Sequence, residues 1–137
     1  MLVVVIDGLG GGIGSQLVGQ IKDNLPSGSE VLALGTNSAA TQAMIKAGAQ
    51  RGATGENAIR VMAGQADVIL GPLGIIIPDA MMGEITVTMA EAIVASPARK
   101  LLLPVAQPHV ELVGLMPQPL GALIRAAGQR LAEMNQE

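Results

Sequence analysis

Five apolar residues, Leu2 to Ile6, run without a break into Asp7, and five of the next seven residues, Gly8 to Gly14, are glycine. An unbroken apolar run of this length reads as a parallel strand covered on both faces, central in its sheet. After the glycines, Ile13, Leu17, Ile21 and Leu25 recur at four-residue spacing, one apolar helical stripe that ends before Pro26. Residues 1 to 25 therefore predict a strand, a glycine-rich turn and a helix. Glycines let backbone N–H groups approach an anion with no Cβ in the way, and the helix N-terminus adds roughly half a positive charge. Such a turn is built to receive a phosphate group.

The rest of the chain repeats the alternation. Val31 to Leu34 is a second strand, and Gly35-Thr36-Asn37-Ser38 supplies short polar side chains for the N-cap of a helix that runs to about Ala47 and closes at Gly48. A third helix begins at Thr54-Gly55-Glu56-Asn57, turns Ile59 and Met62 inward and ends at Gly64, so that two short helices span one crossover. Val68 to Leu70 is the next strand. Gly71 to Pro78 reads equally as a short strand or as buried loop.

Thr86 or Thr88 caps a helix that ends at Ser96-Pro97, and Leu101 to Leu103 is a buried strand. Val110 to Val113 is expected as the last strand. Only Pro104 to His109 separates these two, too few residues for a helical crossover, so they either pair as an antiparallel hairpin or lie apart. Leu120, Leu123, Ile124, Ala127, Leu131 and Met134 mark an amphipathic C-terminal helix. The order βα, βαα, βα, β, βα predicts one α/β domain over residues 1–137. It is a Rossmann-like three-layer sandwich whose sheet of about five strands is mostly parallel, with room for an antiparallel edge strand.

Composition narrows the functions. Net charge is −3, and the eight basic residues are scattered, so there is no electrostatic footprint for nucleic acid. The chain has no Phe, Tyr or Trp, which removes stacking platforms for single strands and for a flavin. Without cysteine there is no disulfide, thiolate metal site or cysteine nucleophile. The apolar run from Val68 to Ile77 is shorter than the roughly 20 residues of a membrane span and is broken by Gly71, Pro72 and Gly74. Met1 leads into the first strand with no basic leader region, so a cytoplasmic protein is expected. Only 14 % of residues are charged, against about 25 % in ordinary domains, which favours self-association.

Candidate binding residues gather where strands end. Asp7, Gly8, Gly10, Gly11, Gly12, Ile13 and Gly14 form the turn, whose alternative reading is a tight strand–helix connection with no ligand. Asp7 would repel a phosphate unless it bonds the glycine N–H groups or holds Mg²⁺. Thr36 and Asn37 stand where NAD-binding domains usually offer an acid to the ribose, and they serve equally as helix caps. Arg51, Thr54, Gly55, Glu56 and Asn57 form a polar cluster, either a second anion site or a loop in which Arg51 pairs with Glu56. Gly71 and Pro72 follow a strand at the carboxyl edge of the sheet. Asp67, Asp79 and Glu84 are further acids with no geometry fixed by the sequence. His109, the one histidine, has no partner pattern for metal or triad chemistry, and no metal site is expected.

Gly8, Gly12, Ile13 and Gly14 resemble the glycine loop of short-chain dehydrogenases/reductases. That family opens the loop with threonine where Asp7 stands, and its catalysis uses a tyrosine and a lysine. This chain has no tyrosine, so the resemblance implies only the binding role of the loop. A P-loop is ruled out, because no Gly-Lys-Ser/Thr follows the glycines. Over most of its length the chain resembles an uncharacterised bacterial family of small Rossmann-like proteins. The resemblance is carried by Val5-Ile6-Asp7-Gly8, Ala33-Leu34-Gly35-Thr36-Asn37, Arg51 to Ala58 and Gly83-Glu84-Ile85-Thr86, and it implies no reaction.

The leading expectation is a nucleotide- or dinucleotide-binding protein, a sensor or accessory subunit, with NAD(P) or another nucleotide held through its phosphates. The alternatives are an enzyme acting on a phosphorylated small molecule and a ligand-free homo-oligomeric scaffold.

Overall fold

The computed structural model describes residues Met1–Glu137. Five strands, β1 (Leu2–Asp7), β2 (Glu30–Gly35), β3 (Arg51–Thr54), β4 (Val68–Pro72) and β5 (Arg99–Leu103), form one sheet in the order β3-β2-β1-β4-β5. Every pairing is parallel. The helices are α1 (Gly12–Ile21), α2 (Ser38–Ala47), α3 (Glu56–Ala63), α4 (Val87–Ala95) and α5 (Leu120–Met134), and a single 3₁₀ turn spans Leu73–Ile76.

Alternation along β1 divides the core. Val3 and Val5 face a layer with Leu17 and Val18 of α1, Met44 of α2 and Ile124 and Leu131 of α5. Val4 and Ile6 face the other layer, with Ile59 of α3 and Met89 and Ile93 of α4. Val3 to Ile6 are fully buried, which is why β1 reads as a continuous apolar run. The result is a Rossmann-like three-layer α/β domain. Strands are added on one side of β1 up to β3 and on the other from β4, so the winding reverses between β1 and β4, and the crevice beyond those strand ends is where such sheets receive ligands.

Three expectations are corrected. The sheet has no antiparallel edge strand: Val110 to Val113 lie outside any strand, joined only by one isolated Gln107–Val110 bridge. Pro104, Pro108, Pro117 and Pro119 flank this stretch, and Val113 within it and Met116 just beyond stay 95 % and 80 % exposed, so its apolar content serves no sheet. Arg51 to Thr54, expected as polar loop, is the edge strand β3, so a strand separates the two helices thought to share one crossover. Most of β3 is exposed, and Gly52 lies where a Cβ would come within 2.8 Å of α2 side chains, so no hydrophobic pattern marks the strand. Helix α1 ends at Ile21 rather than Leu25, although Leu25 still packs on the core.

Candidate functional site

Asp7 closes β1 and turns its carboxylate back into the glycine loop. Oδ1 accepts the Gly8 N–H at 2.8 Å and Oδ2 accepts the Gly14 N–H at 2.7 Å. The side chain is buried, and burial pushes its carboxyl above the usual aspartate range, outweighing the N–H bonds that favour the charged form. The first turn of α1 is thus capped from inside by a residue that precedes the loop, in place of a cap at Gly11. Of the two roles open to Asp7, bonding its own turn is the one observed.

The loop glycines divide into two kinds. A Cβ on Gly8 would meet Thr36 Oγ1, Glu84 Oε1 and Met81 Sδ at 2.6–2.7 Å, and one on Gly14 would meet Met44 Sδ at 2.6 Å and the Asp7 Cβ at 2.8 Å. Gly11 has φ +74° and backs onto the Ala40 backbone at 2.9 Å. These three are required by packing or conformation. Gly10 and Gly12 are not: each faces open space, neither has positive φ, and neither N–H donates within the protein. Both are exposed, at and just before the start of α1.

Glu84 joins this loop to the end of β2. Its Oε1 accepts the Leu9 N–H at 2.8 Å, the Thr36 hydroxyl, and the Asn37 amide at 3.0 Å. Oε2 has no partner among the protein's hydrogen bonds. Burial works against the charge, but the bonds from Thr36, Leu9 and Asn37 prevail and hold the carboxyl below the usual glutamate range. Asn37 also caps α2, accepting the Ala40 N–H at 2.9 Å, and donates to the Leu9 carbonyl at 2.9 Å. Asn37 therefore caps α2 and also ties the Leu9 carbonyl and Glu84 to the end of β2.

The segment that delivers Glu84 is unusual. Asp79, Met81 and Met82 have φ of 68°, 59° and 58°, followed by Gly83 at 91°. The left-handed region costs an L-residue about 1–2 kcal/mol, so this turn persists through the contacts at its end. Those contacts are the Glu84 cluster and the fully buried Ile85.

The remaining candidates fall on both ends of the sheet. Thr54 ends β3 with its hydroxyl 2.7 Å from that of Thr41, and the Gly55 N–H donates to the Gly35 carbonyl at 2.9 Å. Glu56 opens α3 and accepts the Thr86 hydroxyl at 2.7 Å, while Asn57 accepts from Arg60. Gly71 and Pro72 end β4 beside β1, where a Cβ on Gly71 would strike the Ile6 carbonyl at 2.5 Å. Arg51 stands apart, at the amino-terminal start of β3, where it pairs with Glu30 at 2.6 and 2.8 Å rather than with Glu56. No lysine or arginine bonds the glycine loop, Thr36, Asn37 or Glu84. No group of three or more potential metal-ligating side chains is present.

Two features of the site had no clear signal in the sequence. Glu84 is one acid among several in the sequence, set apart only by its place after Met81-Met82-Gly83 and within the Gly83-Glu84-Ile85-Thr86 stretch of the family resemblance. The other is a cavity of about 530 Å³ bounded by Ile13 at the start of α1, Leu73 after β4 and the segment from Pro104 to Gln118.

The model of the family described as "Domain of unknown function (DUF3842)" matches residues 2–136. The chain belongs to the DUF3842 family. The match takes in the glycine loop, the Glu84 turn and the cavity segment together, so all three lie within the DUF3842 domain. A comparison with curated proteins found no match. No helix of this DUF3842 protein is long and apolar enough to cross a membrane.

Proposed function

We propose that this protein binds a nucleotide at the β1–β4 crevice, with a phosphate on the Gly10 and Gly12 N–H groups and a ribose beside Glu84. The observation that carries this reading is the contrast within the loop. Gly8, Gly11 and Gly14 are explained by the protein's own contacts, whereas Gly10 and Gly12 are glycine with nothing of the protein in the way. Their unpaired N–H groups at a helix N-terminus form a cradle that a Cβ would crowd.

The electrostatics select among nucleotides. Asp7 already takes part of the helix-end field, and no cation assists. A triphosphate would therefore be held poorly, while a bridging pyrophosphate can rest on backbone donors alone. The free Oε2 of Glu84 is an acceptor for a ribose hydroxyl at the end of β2, the position where an acid favours NAD and opposes the 2′-phosphate of NADP. The function proposed is binding, as a sensor or accessory subunit. Val61 of α3 and Val87 and Val94 of α4 are exposed large apolar side chains, which supports self-association as part of the same reading.

A thermal-shift panel of NAD, NADP, ATP, GTP, AMP and sugar phosphates tests this. A ligand at 100 times its Kd adds about 2.7 kcal/mol of stability. Stabilisation by NAD or AMP above that by ATP and NADP is expected. A flat response across the panel, with no nucleotide copurifying, would overturn the proposal.

A further inference from the structure

Next to the glycine loop lies the cavity of about 530 Å³, within the range of about 300–1,000 Å³ typical of small-molecule sites. Ile13, the residue after Gly12, forms part of its wall, so the cavity reaches the start of α1, where the proposed phosphate cradle lies. Leu73, Val105, Leu112, Leu120 and Leu123 are among the ten hydrophobic residues of a fifteen-residue lining. Its polar members are Gln107, Glu111 and Gln118, with no lysine, arginine or histidine. An anionic group has no counter-charge there, and a sugar has few hydrogen-bonding partners. An uncharged apolar group has both the volume and the walls.

We infer that the ligand is a nucleotide conjugate, in which an uncharged, mainly apolar ring or acyl group extends from the phosphate into this cavity. This rests on the nucleotide-binding reading and adds the chemical class of the group beyond the phosphate. The outer wall agrees with it. Residues 110–116 expose the lining residues Val110, Leu112, Leu115 and Met116, large apolar side chains on a segment without regular structure, and an apolar group beneath them gives them something to close on.

The experiment has two arms on the intact chain. In the first, Nile red, an uncharged apolar dye, is titrated with wild type, Leu115→Arg and Met116→Arg. Both replaced residues line the cavity and are more than half exposed, so the fold tolerates the change. In the second, calorimetry compares ADP-ribose with NADH, whose dihydronicotinamide ring is uncharged, and coenzyme A with octanoyl-coenzyme A. Saturable one-to-one dye binding, weakened about tenfold in either variant, is expected. So is a conjugate bound about tenfold tighter than its truncated partner, with that gain erased in the same variants. If nucleotides bind but neither pair differs, the conjugate inference falls and the nucleotide reading stands. If the dye binds and no nucleotide does, both fall. If Nile red binds wild type and both variants equally, the dye is elsewhere and the cavity assignment is overturned.

Discussion

Glu84 accepts the amide N–H of Leu9 at 2.8 Å, a contact that joins residues 75 positions apart and ties the β4–α4 connection to the glycine loop. The same carboxylate holds Thr36 and Asn37, so one side chain fixes three pieces of the crevice edge. Glu84→Ala leaves three donors without their protein partner and is expected to cost about 1–2 kcal/mol at neutral pH. Urea denaturation of the two proteins checks this. Because the folded carboxyl is held below its ordinary value, this contribution is complete above the unfolded pKa and is lost as pH falls through the folded one. The gap between wild type and variant should therefore close in acid.

Asp7 gives the opposite slope. Its folded carboxyl lies above the ordinary value, so the folded state holds the proton more tightly than the unfolded chain. Its contribution then declines as pH rises from the unfolded value of about 3.9 up to the raised folded value. Carbon-13 NMR of the side-chain carboxyls should place the Asp7 midpoint above, and the Glu84 midpoint below, the values of the unfolded chain. Asp7→Asn turns an amide N–H₂ toward the Gly8 or Gly14 N–H and should cost about 1–3 kcal/mol near neutral pH, measured by the same denaturation.

The two kinds of loop glycine predict two kinds of variant. Gly11→Ala places a Cβ at φ +74° against the Ala40 backbone and should destabilise the protein by more than about 1 kcal/mol. Gly10→Ala and Gly12→Ala meet nothing and should shift stability by less than about 0.5 kcal/mol, the range for surface changes. On the proposed function, however, both weaken nucleotide affinity. Thermal melts with and without NAD separate the two effects.

Arg51 serves as the control. It belongs to an exposed pair with Glu30 at the opposite end of the strands from the glycine loop. Arg51→Ala should leave NAD affinity unchanged in calorimetry, and a loss of affinity would mean that the ligand lies elsewhere.

The parts of the fold legible in the sequence are those whose burial is periodic. Leu2 to Ile6 announces a central strand because both faces are covered, and the stripe through Leu120 to Met134 announces α5 because one face is. Strand β3 escaped because an edge strand packed on α2 through Gly52 needs little apolar sequence. Val110 to Val113 misled for the converse reason, since apolar residues that wall an open cavity look like strand when composition alone is considered. In the site, the loop and the Asn37 cap follow from local rules. The placing of Glu84 does not, because it depends on three left-handed non-glycine residues and on a contact across the sheet edge.

The most direct test of phosphate binding on the glycine loop is a nitrogen-15 NMR titration of the uniformly labelled protein with ADP-ribose. The account predicts that the Gly10 and Gly12 amides, which have no acceptor in the protein, move first and furthest, while Gly8 and Gly14, held by Asp7, move less. Saturable shifts elsewhere with Gly10 and Gly12 unmoved, or no shifts at millimolar ligand, would contradict it.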